Sequence, residues 1–303
     1  MPAFDVIGYG LGSVDYLCVV RTHPRLDSKQ EMLAYQVQPG GQVPTALVAL
    51  QRWGMRTAYV GAFGSDDAGR MARRAMQREG VDISATCVRR GVAQQASVIL
   101  IDQISGERSV LGQPAGSLKV GAAELSREVI TAGRVLLMDA VEMEGAITAA
   151  RWAKGAGMLT VLDVDQPSQG IDELLKLTDV LIVGSEFPEK LTGIADPRRA
   201  LRKAAGMGPR FVGVTLGPGG ALALVDGRFL FVPAFPTKVV DSTGAGDLFH
   251  AGSVYGLLHE WPAEKTLRFA AAAAALKCEK LGARPGIPPL ERALALAARE
   301  SVR

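Results

Sequence analysis

The 303-residue sequence predicts an α/β protein: a mainly parallel central sheet with helices on both faces, carrying a small β-sheet lid. Two observations predict it. From about Arg134 onward, short β-rich runs alternate with helical patterns at the spacing of βαβ units. The first third instead holds strand-like runs separated by turn residues, with no room for helices between them. The length suits one large domain spanning 1–303, with the lid as an excursion from it.

In chain order, "VDYLCVV" and "EMLAYQV" read as antiparallel strands that leave the main sheet. An ordinary unit follows, with a helix from Thr45 to Trp53, the strand "TAYVGAFG", and a helix from Asp67 to Glu79 ending at Gly80. "SVILIDQ" and "ERSVLG" form a second strand pair, so the lid comprises about residues 14–38 and 95–113. The body resumes with strand "RVLLMDAV", helix "GAITAARWAKGAG", strand "MLTVLDVD" and a helix near Ile171 to Leu177. Strand "DVLIVG", helix "DPRRALRKAAG" and strand "RFVGVTLG" complete the alternation. "ALALVDGRFLFVP" is a hairpin turning at Asp226-Gly227. The stretch "VVDSTGAGDLFHAGSVYGLL", an alanine-rich helix and the amphipathic C-terminal "PLERALALAARESVR" close the chain.

Composition excludes several partners. With 48% hydrophobic and 21% charged residues this is an ordinary globular chain, and a net charge of +3 spread along it offers no basic block for nucleic acid. Three cysteines, Cys18, Cys87 and Cys278, lack the spacing of a zinc site or a disulfide framework. A reducing cytoplasm is expected, with no export signal and no membrane span, because "FAAAAAAL" is too short to cross a bilayer.

Asp247 raises the chemical question, since it follows the glycine turn Gly244-Ala245-Gly246 at a helix start. The first amides of a helix lack intrahelical acceptors and attract anions, and glycines let a ligand approach them. A carboxylate held there could accept a proton from a hydroxyl attacking a phosphoryl group. Equally, Asp247 could merely complement the helix dipole, worth ~0.3–1 kcal/mol, and "DSTGAGD" alone leaves both readings open. Three further stretches favour the first: the pair Gly40-Gly41 ahead of a helix, the glycines ending "VTLGPGG", and the loop "EKLGARPGIPPL".

With these motifs in this order, the sequence resembles the ribokinase-like, or PfkB, carbohydrate kinases along essentially its whole length. "GGQVPTALVALQRWGMRTAYVGAFGSDDAGR" looks like the first family signature and "DSTGAGDLFHAG" like the second, more specific one. The resemblance implies a three-layer α/β/α fold with a β lid. It implies Asp247 as catalytic base and Gly244, Ala245 and Gly246 as anion hole. Asp15, Gly40, Gly41, Thr45 and Glu142 would bind the sugar, while Thr215, Gly217 and Gly220 would line the nucleotide site. ATP and Mg²⁺ are implied as cofactors, and so is K⁺, its place matched by Asp241, Thr243, Lys280, Gly282 and Gly286.

Departures from the family pattern are equally informative. "VGSEFPEKLTG" lacks the Asn of the metal-organising Asn-x-x-Glu motif, leaving Glu186 or Glu189 to meet Mg²⁺. Thr45 stands where ribokinases have Asn, which weakens a ribose reading. "ALKCEKLGARPGIP" and "TVLDVDQ" look most like the ketohexose and sulfofructose kinases, yet "DAVEMEG" lacks the Arg of a sulfonate-binding member, so an anionic sugar is not supported there.

Rival readings fare worse. "GYGLGSVD" carries Ser13 where a dinucleotide fingerprint has its third glycine, and a strand-like run follows it instead of a helix. No Gly-Lys dipeptide occurs, so there is no Walker A loop. His250 reads as a packed or solvent-facing residue, Arg108 as a solvated lid residue, and the alanine run 270–275 as a close-packing helix face. The expected activity is ATP-dependent phosphorylation of a primary hydroxyl on a small sugar, a ketose or related carbohydrate. A nucleoside kinase is disfavoured by an aromatic content of 6%, and a non-catalytic sugar-binding homologue by the retained Asp247. Apolar runs such as "LCVV" and "VILI" suggest exposed edges, hence a homodimer through the lid.

Overall fold

The computed structural model describes residues 2–299. Its strands are β1 (Val6–Tyr9), β2 (Ser13–Val20), β3 (Ala34–Gly40), β4 (Thr57–Val60), β5 (Ala62–Gly64), β6 (Cys87–Arg89), β7 (Ala96–Asp102), β8 (Arg108–Gly112), β9 (Val135–Met138), β10 (Leu159–Asp163), β11 (Val180–Gly184), β12 (Phe211–Thr215), β13 (Ala221–Val225) and β14 (Arg228–Val232). The helices are α1 (Gln42–Arg52), α2 (Asp67–Arg78), α3 (Arg127–Ile130), α4 (Met143–Gly155), α5 (Ile171–Lys176), α6 (Phe187–Thr192), α7 (Pro197–Ala205), α8 (Ala245–Leu258), α9 (Ala263–Lys277) and α10 (Leu290–Ala297). Of the C-terminal helix expected over 289–303, residues 300–303 lie outside the described residues. Among the described residues no helix is long and apolar enough to cross a membrane.

The central sheet runs β14-β13-β12-β11-β10-β9-β1-β4, parallel from β12 to β4 and antiparallel only where the β12–β13–β14 meander extends it. Side chains alternate across a strand, so each parallel strand feeds two cores. Val6, Val135, Leu137, Val161 and Val180 point into one core, with α1, α8 and α9. Their neighbours Ile7, Leu136, Met138, Leu162 and Leu181 point into the other, with α4, α5 and α7. That alternation makes three layers of helix, sheet and helix.

Several boundaries moved for identifiable reasons. Helix α1 begins at Gln42 because proline lacks only an amide that the first helical turn leaves unbonded anyway, so Pro44 is tolerated there. "TAYVGAFG" breaks at Gly61, where the chain leaves the central sheet and β5 pairs with β6 instead. Helix α4 starts early because the Glu142 side chain accepts from the Gly145 amide and caps it.

Helices α8 and α9 approach closely. A Cβ on Gly252 would lie 2.6 Å from the Ala270 Cα, and one on Gly256 would lie 2.6 Å from Thr266 Oγ1. The alanine run therefore serves as a packing face, with Ala270, Ala272 and Ala273 fully buried.

The lid is a separate sheet, β3-β2-β7-β8. Here one expectation is corrected: neither "LCVV" nor "VILI" is an exposed edge, because β2 lies between β3 and β7, and β7 between β2 and β8. Leu17, Ile99 and Ile101 form a small buried cluster with Val19 and Leu281, which packs the inner lid face onto the body. On the opposite face, Tyr16, Val37, Val98 and Leu111 align across the four strands. Val37, Val98 and Leu111 are exposed there.

The turn after β12 gives a test of backbone constraint. Gly220 has φ +91°, and a Cβ on it would sit 2.2 Å from the Val232 carbonyl oxygen, whereas Gly217 has φ +55° and open space around it. Gly220→Ala therefore combines strain with overlap and should lose at least about 3 kcal/mol in urea unfolding. Gly217→Ala is strained only and should lose about 1 kcal/mol. Equal losses would show that the close approach to β14 does not matter.

Candidate active site

Parallel strands deliver their carboxyl ends to one edge of the sheet, where a ligand crevice forms. Here that edge collects Gly10 after β1, Asp139 after β9, Asp163 at the end of β10, Gly184 at the end of β11 and Thr215 at the end of β12. Helix α8 begins beside it.

Gly244 takes the left-handed φ of +82° at the α8 start, and a Cβ there would lie 2.5 Å from that of Ala283. The Ala245 amide donates to the Ser242 carbonyl at 3.1 Å, so it is not free as the 244–246 triplet had suggested. The amides of Gly244, Gly246 and Asp247 have no acceptor among the described residues. The potential anion hole thus keeps Gly244 and Gly246 and takes the Asp247 amide in place of Ala245.

Asp247 is half-buried. Desolvation, and then the charge of Asp163, push its carboxyl up to about 8, with His250 and Arg108 opposing. Asp15 adds to the rise, which places the lid strand β2 in the same electrostatic neighbourhood.

His250 is packed, as expected, but its setting is specific. Nδ1 lies 3.0 Å from the Gly246 carbonyl and 3.2 Å from Asp163 Oδ2, while Nε2 lies 3.0 Å from the Ile182 carbonyl. Carbonyl oxygens only accept, so Nε2–H donates to the Ile182 carbonyl, while Nδ1 faces both the Gly246 carbonyl and the Asp163 carboxyl. Burial raises Asp163 well above the usual carboxylate range and lowers His250. Gln42 Nε2 donates to Asp163 and to Asp165, at 3.1 Å each.

Asp15 is buried and accepts from Ser13 Oγ at 2.8 Å. A Cβ on Gly40 would stand 2.0 Å from Asp15 Oδ2, and one on Gly41, at φ +93°, would stand 2.5 Å from the Leu11 carbonyl. The Gly pair is therefore bare backbone by necessity. Thr45, by contrast, is fully buried in α1 and its hydroxyl has no partner among the described residues. Glu142 caps α4 through Oε2, which also accepts from the Tyr9 hydroxyl at 3.5 Å, and it lines a cavity with Gly10, Leu11 and Asp139.

Thr215 Oγ1 donates to the Val183 carbonyl at 3.3 Å, and Gly217–Gly219 form a tight exposed turn next to it. Glu186 is exposed just past β11, where its carboxylate pairs with Lys190 at 2.7 Å. The lid reaches the α8 entry through Ser242, whose amide and hydroxyl both donate to the Gly106 carbonyl at 3.2 Å. Arg108 is exposed, as expected of a solvated lid residue, and donates to Ser242 Oγ at 3.0 Å.

The five residues matched to a K⁺ site do gather. Asp241 is fully buried, its Oδ1 accepting from the Thr243 amide at 2.8 Å and its Oδ2 from the Gly282 amide at 2.7 Å. The ammonium of Lys277 lies among them, 2.6 Å from the Asp241 carbonyl oxygen and 3.4 Å from that of Lys280. Sequence reasoning missed Lys277, Asp163 and Gln42. Two signals could have found them: a lysine on the buried alanine stripe of α9, and paired aspartates ending a buried strand.

Asp247 also links the site to stability. Its folded pKa lies above the ordinary value near 3.9, so the folded chain holds that proton more tightly. Stability must then fall as pH rises from about 4 to about 8 and level off beyond. Asp247→Asn removes this slope, so its gain in Tm over the parent should be larger at pH 8.5 than at pH 5, measured by scanning fluorimetry. A gain that is constant with pH would contradict the assigned burial.

Comparison with known proteins agrees with this architecture. The model of the pfkB family of carbohydrate kinases matches residues 5–290. Ribokinase of Haemophilus influenzae is 33% identical over 271 residues, covering 86% of this chain and 87% of that protein. The 1-phosphofructokinase of Rhodobacter capsulatus is 26% identical over 288 residues, with 89% of each chain covered. The structure of Arabidopsis thaliana ribokinase complexed with ribose and ATP superposes with a TM-score of 0.84 at 24% identity, covering 98% of this chain and all of that one. With its unpaired amides and buried carboxylates at the carboxyl edge of the sheet, the chain belongs to the pfkB family of carbohydrate kinases.

Proposed function

We propose that the protein transfers the γ-phosphoryl group of ATP to a primary hydroxyl of a small sugar, a ketose or related carbohydrate, with Asp247 as general base. The single observation that carries this reading is the α8 start, where unpartnered amides of Gly244, Gly246 and Asp247 stand beside a carboxyl raised to about 8. In the reaction, Asp247 takes the proton of the attacking hydroxyl. The sugar oxygen bonds to phosphorus, the bond to the β-phosphate oxygen breaks, and ADP leaves. The free amides receive charge on the phosphoryl oxygens without reorganising. Asp15 and the backbone of Gly40 and Gly41 hold sugar hydroxyls, and the turn Thr215–Gly220 lies under the nucleotide.

Mg²⁺ bound with ATP would supply positive charge over the β and γ oxygens. Such an ion is held largely by phosphates and water with few protein carboxylates, so the exposed Glu186 suffices as this chain's contribution. The lid, pinned at Ser242, keeps water from the transfer.

An ADP-release screen over hexoses, ketoses, pentoses, aldonic acids and nucleosides tests the reading, and turnover of a ketose above all others is expected. Turnover confined to nucleosides, or absent throughout, would overturn it. With the sugar so found, Asp247→Asn should cut kcat by about 10²–10⁴ with ATP affinity nearly intact. At pH 7 a carboxyl of pKa about 8 is only about a tenth ionised, so kcat/KM should climb tenfold per pH unit and flatten near pH 8.

The chain also forms a homodimer by this reading, its partner a second copy packed on the outer lid face. Val98 and Leu111 are adjacent there and 38% and 61% exposed. Light scattering should give twice the chain mass, and Leu111→Lys should restore the monomer. A monomeric parent would refute the interface.

A further inference from the structure

Helix α9 carries a charge into the interior. Lys277 continues the buried stripe of Ala270 and Ala273 and is fully buried. Its ammonium lies 2.6 Å from the Asp241 carbonyl oxygen, 3.4 Å from the Lys280 carbonyl oxygen and 3.7 Å from Asp241 Oδ2. The remaining walls are shaped to admit it. A Cβ on Gly286 would stand 3.0 Å from Lys277 Cε and 2.7 Å from the Lys277 carbonyl oxygen, so a side chain there would crowd the lysine stem. Gly282, at φ +85°, turns its amide onto Asp241 Oδ2.

A desolvated carboxylate beside carbonyl oxygens is the chemistry that strips and holds a weakly hydrated monovalent cation. A lysine ammonium is likewise a monovalent cation, here tethered to the chain and already stripped of water by burial. Two unshielded positive charges could not share the space, because burial makes their repulsion costly. We infer that Lys277 replaces the monovalent metal ion at this position: its ammonium joins the 241–243 loop to the 280–286 loop, and the enzyme works without K⁺. The residues expected to bind K⁺ thus hold a side chain of the protein itself. Lys277 is a positioning residue, acting through the loop that ends on Gly244 and starts α8.

The activity readout rests on the kinase reading above; the thermal readout does not. Wild type is desalted into choline chloride, NaCl or KCl at equal ionic strength, and Tm and kcat/KM are measured in each. Tm should be the same in all three, and kcat/KM should agree within about twofold, the size of a general salt effect. Lys277→Ala opens room for an ion, so KCl should raise its Tm and recover at least about tenfold in kcat/KM over choline, by mass action on the folded state. Lys277→Met fills the space without charge and should stay slow and indifferent to K⁺. Activation of wild type by K⁺ beyond about tenfold, or a rise in its Tm with KCl but not choline chloride, would overturn the inference. A folded Lys277→Ala variant that gains nothing from K⁺ would also count against it. Should that variant fail to fold, the wild-type comparison decides alone. Absence of turnover with every sugar in every salt would sink the kinase reading while the Tm comparison still settles this one.

Discussion

The buried carboxylate of Asp241 is the constraint on which the site depends. Both of its oxygens are committed to backbone amides, Thr243 on one side and Gly282 on the other, and the Lys277 ammonium lies against its carbonyl. An ionised group sealed from water is stable only with such partners. Meeting that requirement fixes two loops from distant parts of the chain against each other. Gly244 then has one conformation available, its Cα closed in by Ala283, and α8 starts in one place with its first amides turned to the crevice.

Burial of the rest of α8 makes this arrangement rigid. From Leu248 onward the helix is almost wholly enclosed, and the glycines facing α9 bring the two axes close. A helix held that tightly can keep a carboxyl in a poorly solvated position. Asp247 is the result, its proton affinity raised by lost hydration and by Asp163, while the His250 pair keeps that neighbouring charge partly neutralised. Stability given up at Asp247 is what makes it a stronger proton acceptor.

The lid is joined to the same point. Gly106 and Arg108 both engage Ser242, which lies between Asp241 and Thr243 in the Asp241 network, and Leu281 from the second loop fills the inner lid cluster. Lid position and helix start therefore rest on shared contacts, and a change at either will be felt at the other.

The layered fold was legible because its signals are local. Alternating β-branched strands, helix caps and glycine turns each report on a few neighbouring residues, and even Asp247 could be singled out from the stretch around it. Helix α1 and strand β5 shifted only where a proline or a change of sheet altered the boundary. Thr45 and Glu142 read as sugar contacts beside their motifs, and what the sequence did not show is that Thr45 is buried in α1 and Glu142 caps α4. By itself the sequence determined most of the order of elements, though not the central strand β1, together with the βαβ alternation and the acid at the glycine turn. Only the tertiary structure decided which amides stay free, that Asp163 pairs with His250, and that a lysine thirty-six residues after Asp241 supplies its countercharge. Those outcomes depend on distances between segments remote in the chain, and the energy of a buried charge is set by what surrounds it in space.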